Sequence, residues 1–219
     1  MTPAYAIVCG SGSSGRAWDH VATELRAVVL PAPDAPDVPA MALQLAPAVA
    51  ALPRPRVLIG TSLGALIALE LARDTPVDAL ILVSAGFGID IHPTVLERIA
   101  AAGPAMLDRM ARGVVADPSD RTLVANVRRD FEDGGAELLR RHMRVLAEHR
   151  PRPPQDLPPT FVVWGTRDPG VPLAAHAELA LRCGAPLLPV AGAGHLPYLE
   201  QPLATLDRIR AAVRWSDVE

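Results

Sequence analysis

The stretch "RVLIGTSLGALIALELA", residues 56–72, constrains this chain more than any other. An apolar run leads straight into Gly60-Thr61-Ser62-Leu63-Gly64, and an amphipathic helical pattern follows at once. A G-x-S-x-G pentapeptide between a strand and a helix is the pattern of a nucleophile elbow. The turn is so sharp that strand and helix nearly touch two positions either side of the serine, so Gly60 and Gly64 must be small. The serine then projects at the C-terminal edge of its strand, beside the positive end of the new helix.

Around this stretch, short apolar runs alternate with helical patterns. The strand candidates are Tyr5–Val8, Ala27–Leu30, Arg56–Ile59, Ala79–Val83, Phe161–Trp164 and Pro186–Val190. Helices are predicted near Arg16–Arg26, Ala40–Leu52, Ser62–Arg73, Pro172–Arg182 and Leu199–Arg214. Strands that are apolar without alternation suit a parallel sheet covered on both faces, and their repetition with helices implies a doubly wound α/β fold. Residues 86–158 interrupt the pattern with helical patches near Thr94–Ala111, Asp120–Phe131 and Ala136–His149, closing on the stiff "RPRPPQDLPP". The chain thus divides into a core, 1–85 and 159–219, and a helical lid insertion, 86–158. Read as a lid, the insertion is expected to govern substrate range rather than chemistry. A short linker replacing residues 88–156 should then leave the catalytic groups reactive.

A serine needs a base to remove its proton, and the base needs a third group to orient it. Parallel strands deliver their following loops to one edge of the sheet. Asp168 in "FVVWGTRDPGVP" and His195 in "LLPVAGAGHLPYLEQP" each follow a strand, in the chain order serine, acid, histidine. Asp90, after an earlier strand, is a secondary candidate for the acid.

Composition excludes several rival chemistries. All cationic side chains are arginine, since the chain holds no lysine, which removes lysine Schiff bases and the phosphate-reaching lysine of a Walker loop. The arginines interleave with acids, as in "RRDFEDGGAELLRR" (128–141), a pattern read as a solvated helix face and not as a nucleic-acid stripe. Cys9 and Cys183 are too few for a disulfide scaffold, and Cys9 reads as a small buried hydrophobe. With no H-E-x-x-H and no ligand spacing among the histidines, neither a metal nor an organic cofactor is expected. No export signal and no apolar run near the roughly 20 residues of a membrane span is present, so a cytoplasmic protein without membrane partners is expected. Aromatic residues make up only 4% of the chain, so a pocket would rely on aliphatic side chains and methionine. Met106, Leu107 and Met110 are read first as ordinary packing between lid and core, with facing an acyl or alkyl group as the alternative.

One motif reads two ways. In "VCGSGSSGRAW" (8–18), Gly10 to Gly15 spell G-x-G-x-x-G after a strand, with Asp34 further on, as in a dinucleotide-binding loop. However, "GTSLGA", "WGTRDPGVP" and "GAGHLPYLEQP" resemble the nucleophile, acid and histidine motifs of the α/β-hydrolase superfamily, and the resemblance extends over nearly the whole chain. It implies an eight-stranded, mostly parallel sheet, entered here at the third strand without the leading hairpin. It also implies that residues 9–18 form the oxyanion loop. The N–H of Ser11 and that of Leu63 would then hold the oxyanion. Cys9 stands where the family commonly has a histidine that helps hold this loop, so Ser11, Ser13 or Ser14 is expected to hold it instead.

The implied activity is cleavage of a carboxylic ester through an acyl-enzyme, with Ser62 as nucleophile, His195 as base and Asp168 orienting it. The substrate would be a small molecule with an apolar acyl or alkyl part. Carbon–carbon bond hydrolysis, lactone or thioester cleavage fit the same three residues. A non-catalytic ligand-binding protein of this fold is the alternative of another class.

Overall fold

The apolar runs become six strands in the computed structural model, which describes residues 2–88, 91, 94, 96–97, 105–152 and 155–216. They are β1 (Ala4–Val8), β2 (Val28–Leu30), β3 (Arg56–Thr61), β4 (Ala79–Val83), β5 (Thr160–Gly165) and β6 (Leu187–Val190). Their order across the sheet is β2-β1-β3-β4-β5-β6, and every neighbouring pair is parallel. The described residues therefore build six strands, all parallel, and not the eight of the resemblance.

The lack of alternation along these strands has a direct structural cause. Tyr5, Ile7, Val57 and Ile59 point into a core closed by helices α1 (Asp19–Leu25) and, near the C-terminus, α9 (Pro202–Trp215). Their neighbours Ala6, Val8 and Leu58 point into a second core under α2 (Val38–Ala50), α3 (Leu63–Asp74) and α7 (Leu173–Arg182). Both faces of the central strands are buried, so their inner positions are apolar on both sides, whereas the edge strand β2 is partly exposed; each Leu, Ile or Val so buried is worth about 1.5–3 kcal/mol. The N-terminal boundary of α2 is set by Asp37, whose carboxylate accepts from the Ala40 N–H at 2.8 Å.

Between β4 and β5 lie α4 (Ala105–Gly113), α5 (Arg121–Gly134, capped by Asp120) and α6 (Ala136–Glu148). Residues 98–104 of the helix predicted from Thr94, and Asp90, lie outside the described residues. These helices bury side chains in both cores, Met106, Val127 and Leu139 in one and Val145 and Leu146 in the other. A short helix α8 (Pro197–Glu200) precedes α9. No helix among the described residues is long and apolar enough to cross a membrane.

The strand order reverses between β1 and β3. The chain leaves β1 towards β2 on one side and returns at β3 on the other. In open parallel sheets the crevice at such a reversal, outside the C-terminal ends of the strands, is where ligands bind. The loops after β1 and β3 meet there.

Candidate active site

Ser62 is the hinge of the turn after β3, with φ 53° and ψ −120°, a left-handed conformation that costs an L-residue of order 1–3 kcal/mol. Its N–H donates to Val83 O at 2.9 Å, and its carbonyl accepts from Ala65 N at 3.0 Å to start α3. The two glycines are required by close approach. A Cβ on Gly60 would collide with the Gly64 carbonyl oxygen and sit 2.7 Å from the Ala65 Cα. One on Gly64 would collide with Val8 O and sit 2.5 Å from Cys9 O. The same contact locks the nucleophile turn against the end of β1.

Asp168 sits in the turn after β5 with its side chain wholly buried. Its Oδ1 accepts from the N–H groups of Gly170 (2.8 Å) and Val171 (3.0 Å). Its Oδ2 accepts from His195 Nδ1 at 2.9 Å, which leaves Nε2 of the imidazole free to take a proton. Burial acts to raise the Asp168 carboxyl, but the hydrogen bond and charge of His195, with the two amides, outweigh it. The pKa therefore lies below the usual carboxylate value, and the group is ionised at neutral pH. His195 and Ser62 line the same cavity, of about 430 Å³.

Two further residues of this site went unnoticed in the sequence. Buried His176 donates from Nδ1 to Pro172 O (3.1 Å) and places Nε2 3.7 Å from Asp168 Oδ2; burial pulls its pKa down. Glu200, five residues after His195 within the quoted "GAGHLPYLEQP", accepts from the N–H of Leu196 (3.2 Å) and of Ala116 (2.8 Å). Burial raises its pKa. The His195 N–H itself donates to Val114 O at 2.9 Å. Val114 and Ala116 belong to the insertion, so the histidine loop is fastened to it from two sides.

The loop after β1 is fastened to the insertion as well. The Ser13 hydroxyl donates to Asp130 Oδ2 at 2.6 Å; the Ser14 hydroxyl (2.6 Å) and N–H (3.2 Å) donate to Oδ1. The Gly12 N–H donates to Nδ1 of His142 (3.1 Å), whose Nε2–H donates to Pro33 O (2.9 Å). Asp130 and His142 are buried. Asp130 lies in the charged run read as a solvated face; the run is amphipathic, and this acid falls on its buried stripe between Val127 and Phe131. Of the three serines expected to hold the loop, Ser13 and Ser14 do so, whereas the buried Ser11 hydroxyl has no partner among the described residues. Cys9 is fully buried; burial, with the Asp130 charge adding to it, pushes the thiol up to about 12, so it is no nucleophile.

The glycines of the G-x-G-x-x-G run are already occupied by protein. A Cβ on Gly10 would meet Ser62 Cβ at 3.3 Å, on Gly12 Leu139 Cβ at 2.5 Å, and on Gly15 Val29 Cγ1 at 2.6 Å. Asp34, the acid that a ribose would need, is bound by Arg141 through two contacts of 2.9 Å. Gly12 and Gly15 are thus required by close approach of Leu139 and Val29, and Asp34 is engaged by Arg141, so these features have a packing role that needs no dinucleotide. Where the loop ends, Trp18 stacks on Tyr198 of α8, with ring centroids 3.7 Å apart and planes 7° from parallel.

Ser11, Ser13 and Gly10 line the cavity with Ser62 and His195, and Met110, Phe131, Leu139 and Met143 make its walls apolar. Met106, Leu107 and Met110 all pack against the core, as the packing reading expects, and Met110 also lines the cavity.

Comparison with known proteins follows the same lines. The family model described as "Alpha/beta hydrolase family" matches residues 7–208. Among solved structures, a thermophilic esterase superposes with a TM-score of 0.85 at 20% identity, covering 98% of this chain and 91% of its own. The enol-lactonase from Burkholderia xenovorans LB400 superposes with a TM-score of 0.81 at 18% identity, covering 98% and 92%. A type II thioesterase from the borrelidin biosynthetic cluster gives 0.72 at 23% identity, covering 97% and 93%. Among curated protein sequences, none matches this chain.

Proposed function

The chain belongs to the alpha/beta hydrolase family, and within it we propose a serine hydrolase that cleaves a carboxylic ester through an acyl-enzyme intermediate. One observation carries this reading. An ionised, buried Asp168 holds the Nδ1–H of His195 at 2.9 Å, and that imidazole shares a largely apolar cavity with the strained Ser62.

Ser62 Oγ attacks the ester carbonyl while His195 Nε2 takes its proton, and the resulting imidazolium is stabilised by Asp168. The N–H groups of Ser11 and Leu63 receive the negative charge of the tetrahedral intermediate. His195 then returns the proton to the leaving alcohol, and water releases the acid by the reverse sequence. Residues 1–85 and 159–219 supply these groups, and 86–158 encloses the substrate. The apolar walls suit a small molecule with an apolar acyl or alkyl part.

The test is a panel of nitrophenyl esters of graded acyl length, run beside a lactone, a thioester and a ring-fission dienoate, on wild type and Ser62→Ala. Ester turnover lost in Ser62→Ala is the expected result. Turnover of the dienoate alone would make the protein a carbon–carbon bond hydrolase. A folded wild type that turns over nothing and takes up no fluorophosphonate would favour a ligand-binding protein.

A further inference from the structure

The loop from Gly10 to Gly15 is the least self-sufficient part of the site. It consists of glycine and serine alone, and glycine backbones rotate readily. An oxyanion hole needs donors fixed within a few tenths of an ångström of the developing charge. Within the loop itself the described hydrogen bonds are Ser13 N–H to Gly10 O (3.3 Å) and Gly15 N–H to Ser13 Oγ (3.1 Å), which shape the turn but do not tie it to the rest of the molecule.

Three features of the insertion do. Each of the hydrogen bonds recorded for the buried Asp130 carboxylate comes from this loop, from Ser13 and from Ser14. A buried carboxylate without partners is strongly disfavoured, so the loop and the acid hold each other in place. His142 accepts the Gly12 N–H and anchors its other nitrogen on Pro33 O, which fixes the imidazole between two segments. At the end of α5, Gly134 comes so close that a Cβ there would collide with Gly12 O. Both residues flanking Ser11 in the oxyanion turn are thereby pinned, Gly12 by the insertion and Gly10 by the nucleophile turn.

We propose that Asp130 and His142 are positioning residues that set the geometry of the oxyanion loop, so that the insertion assembles the catalytic site as well as covering it. The inference rests on the serine-hydrolase reading for its effect on rate, but its structural content does not. In Asp130→Asn the charge that gathers Ser13 and Ser14 is gone. In His142→Phe both ring hydrogen bonds are lost at similar volume. Neither residue is hydrogen-bonded to Ser62, Asp168 or His195, and His142 does not line the cavity. In His142→Phe KM should therefore stay within about threefold while kcat falls by about 10²–10³, the loss typical of one oxyanion donor. Asp130 also lines the cavity, and its variant is read by the same fall in kcat.

Hydrogen exchange of the Gly12 and Ser14 amides, compared in wild type and each variant, is the first measurement, with folding checked by circular dichroism. Exchange should speed up at least about tenfold at Gly12 in His142→Phe and at Ser14 in Asp130→Asn. The second is kcat and KM on an activated ester, with the Ser13→Ala/Ser14→Ala protein combined with Asp130→Asn; the combination should cost little more than Asp130→Asn alone. Exchange unchanged from wild type overturns the proposal whatever the activity. So does an undiminished kcat in a variant whose loop has loosened, or a loss confined to KM. Should Asp130→Asn fail to fold, Ser14→Ala carries the same two readouts from the loop side. An inactive, unlabelled wild type would instead remove the hydrolase reading and leave the exchange measurement to judge the clamp.

Discussion

The turn at Ser62 and the loop from Gly10 to Gly15 lie in contact, yet they hold their shapes by different means. The turn at Ser62 is fixed by backbone against backbone, where Gly60 meets Gly64 and Gly64 meets Val8. Every partner is within the two adjacent strands and the helix that follows. The loop at Ser11 has two local hydrogen bonds, but it is tied to the rest of the molecule by side chains 117 and 130 positions away, Asp130 on Ser13 and His142 on Gly12. On the proposed reading, one half of the site is built by the sheet and the other by the insertion.

The largest effect is expected at the self-contained half. Ser62→Ala should lower kcat by about 10⁶, the scale of losing a triad nucleophile, and leave the thermal midpoint nearly unchanged. Initial rates and fluorophosphonate labelling check it; retained turnover would mean another nucleophile. Next, Asp168→Asn should cost about 10⁴ in kcat, because an amide no longer enforces the Nδ1–H tautomer of His195. Near-wild-type kcat in that variant would send the search for the acid to Asp90.

The sharpest test of the comparison is removal of residues 88–156 in favour of a short linker. The hydrogen bonds accepted by Val114, Asp130 and His142 and the one donated by Ala116 go with them. Even if the sheet folds, turnover of a small activated ester should drop by at least about 10³, because two catalytic loops lose their anchors. A shortened protein that keeps its rate would restore the view of a detachable lid. Smaller still is the contrast between two glycine substitutions read by urea denaturation. Gly64→Ala drives a Cβ into backbone at Val8 and should destabilise by at least about 1–3 kcal/mol. Gly12→Ala meets chiefly the Leu139 side chain, so its rate should suffer before its stability does.

The smallest expected effect is on pH dependence. Burial holds His142 below its ordinary value of 6.5, with the Pro33 carbonyl and the Asp34 charge opposing and Arg141 assisting. A depressed histidine contributes stability that is complete above about 6.5 and is lost as pH falls towards the native value, where the unfolded chain takes the proton first. Melting temperatures between pH 7 and 5 should therefore decline less in His142→Phe than in wild type. An identical slope would show that the neutral imidazole contributes nothing to the fold.

The six strands, the elbow and the pairing of Asp168 with His195 were legible because each is a local pattern in an order that parallel topology imposes. What stayed hidden was carried by residues whose meaning depends on tertiary contact. Asp130 looked like one more charge among "RRDFEDGGAELLRR", although its place three after Val127 and one before Phe131 put it on the apolar stripe. His142, three after Leu139 and four before Leu146, carried the same signal. An acid or a histidine on the buried stripe of an otherwise exposed helix was the clue available. Nothing in the sequence, by contrast, points to Val114 and Ala116, which act through main-chain atoms alone.

The insertion's anchor points differ in how freely they can drift. At Val114 and Ala116 only the peptide group is used, so substitution can reshape the cavity rim at no cost to the bond that holds His195 or Glu200. At Asp130, Gly134 and His142 the side chain, or its absence, is itself the anchor. In the first part of the segment, substitution is limited by buried packing at Met106, Ala111 and Val115 and not by these bonds. In the second, on the proposed reading, a change at Asp130, Gly134 or His142 alters catalytic rate together with the shape of the cavity.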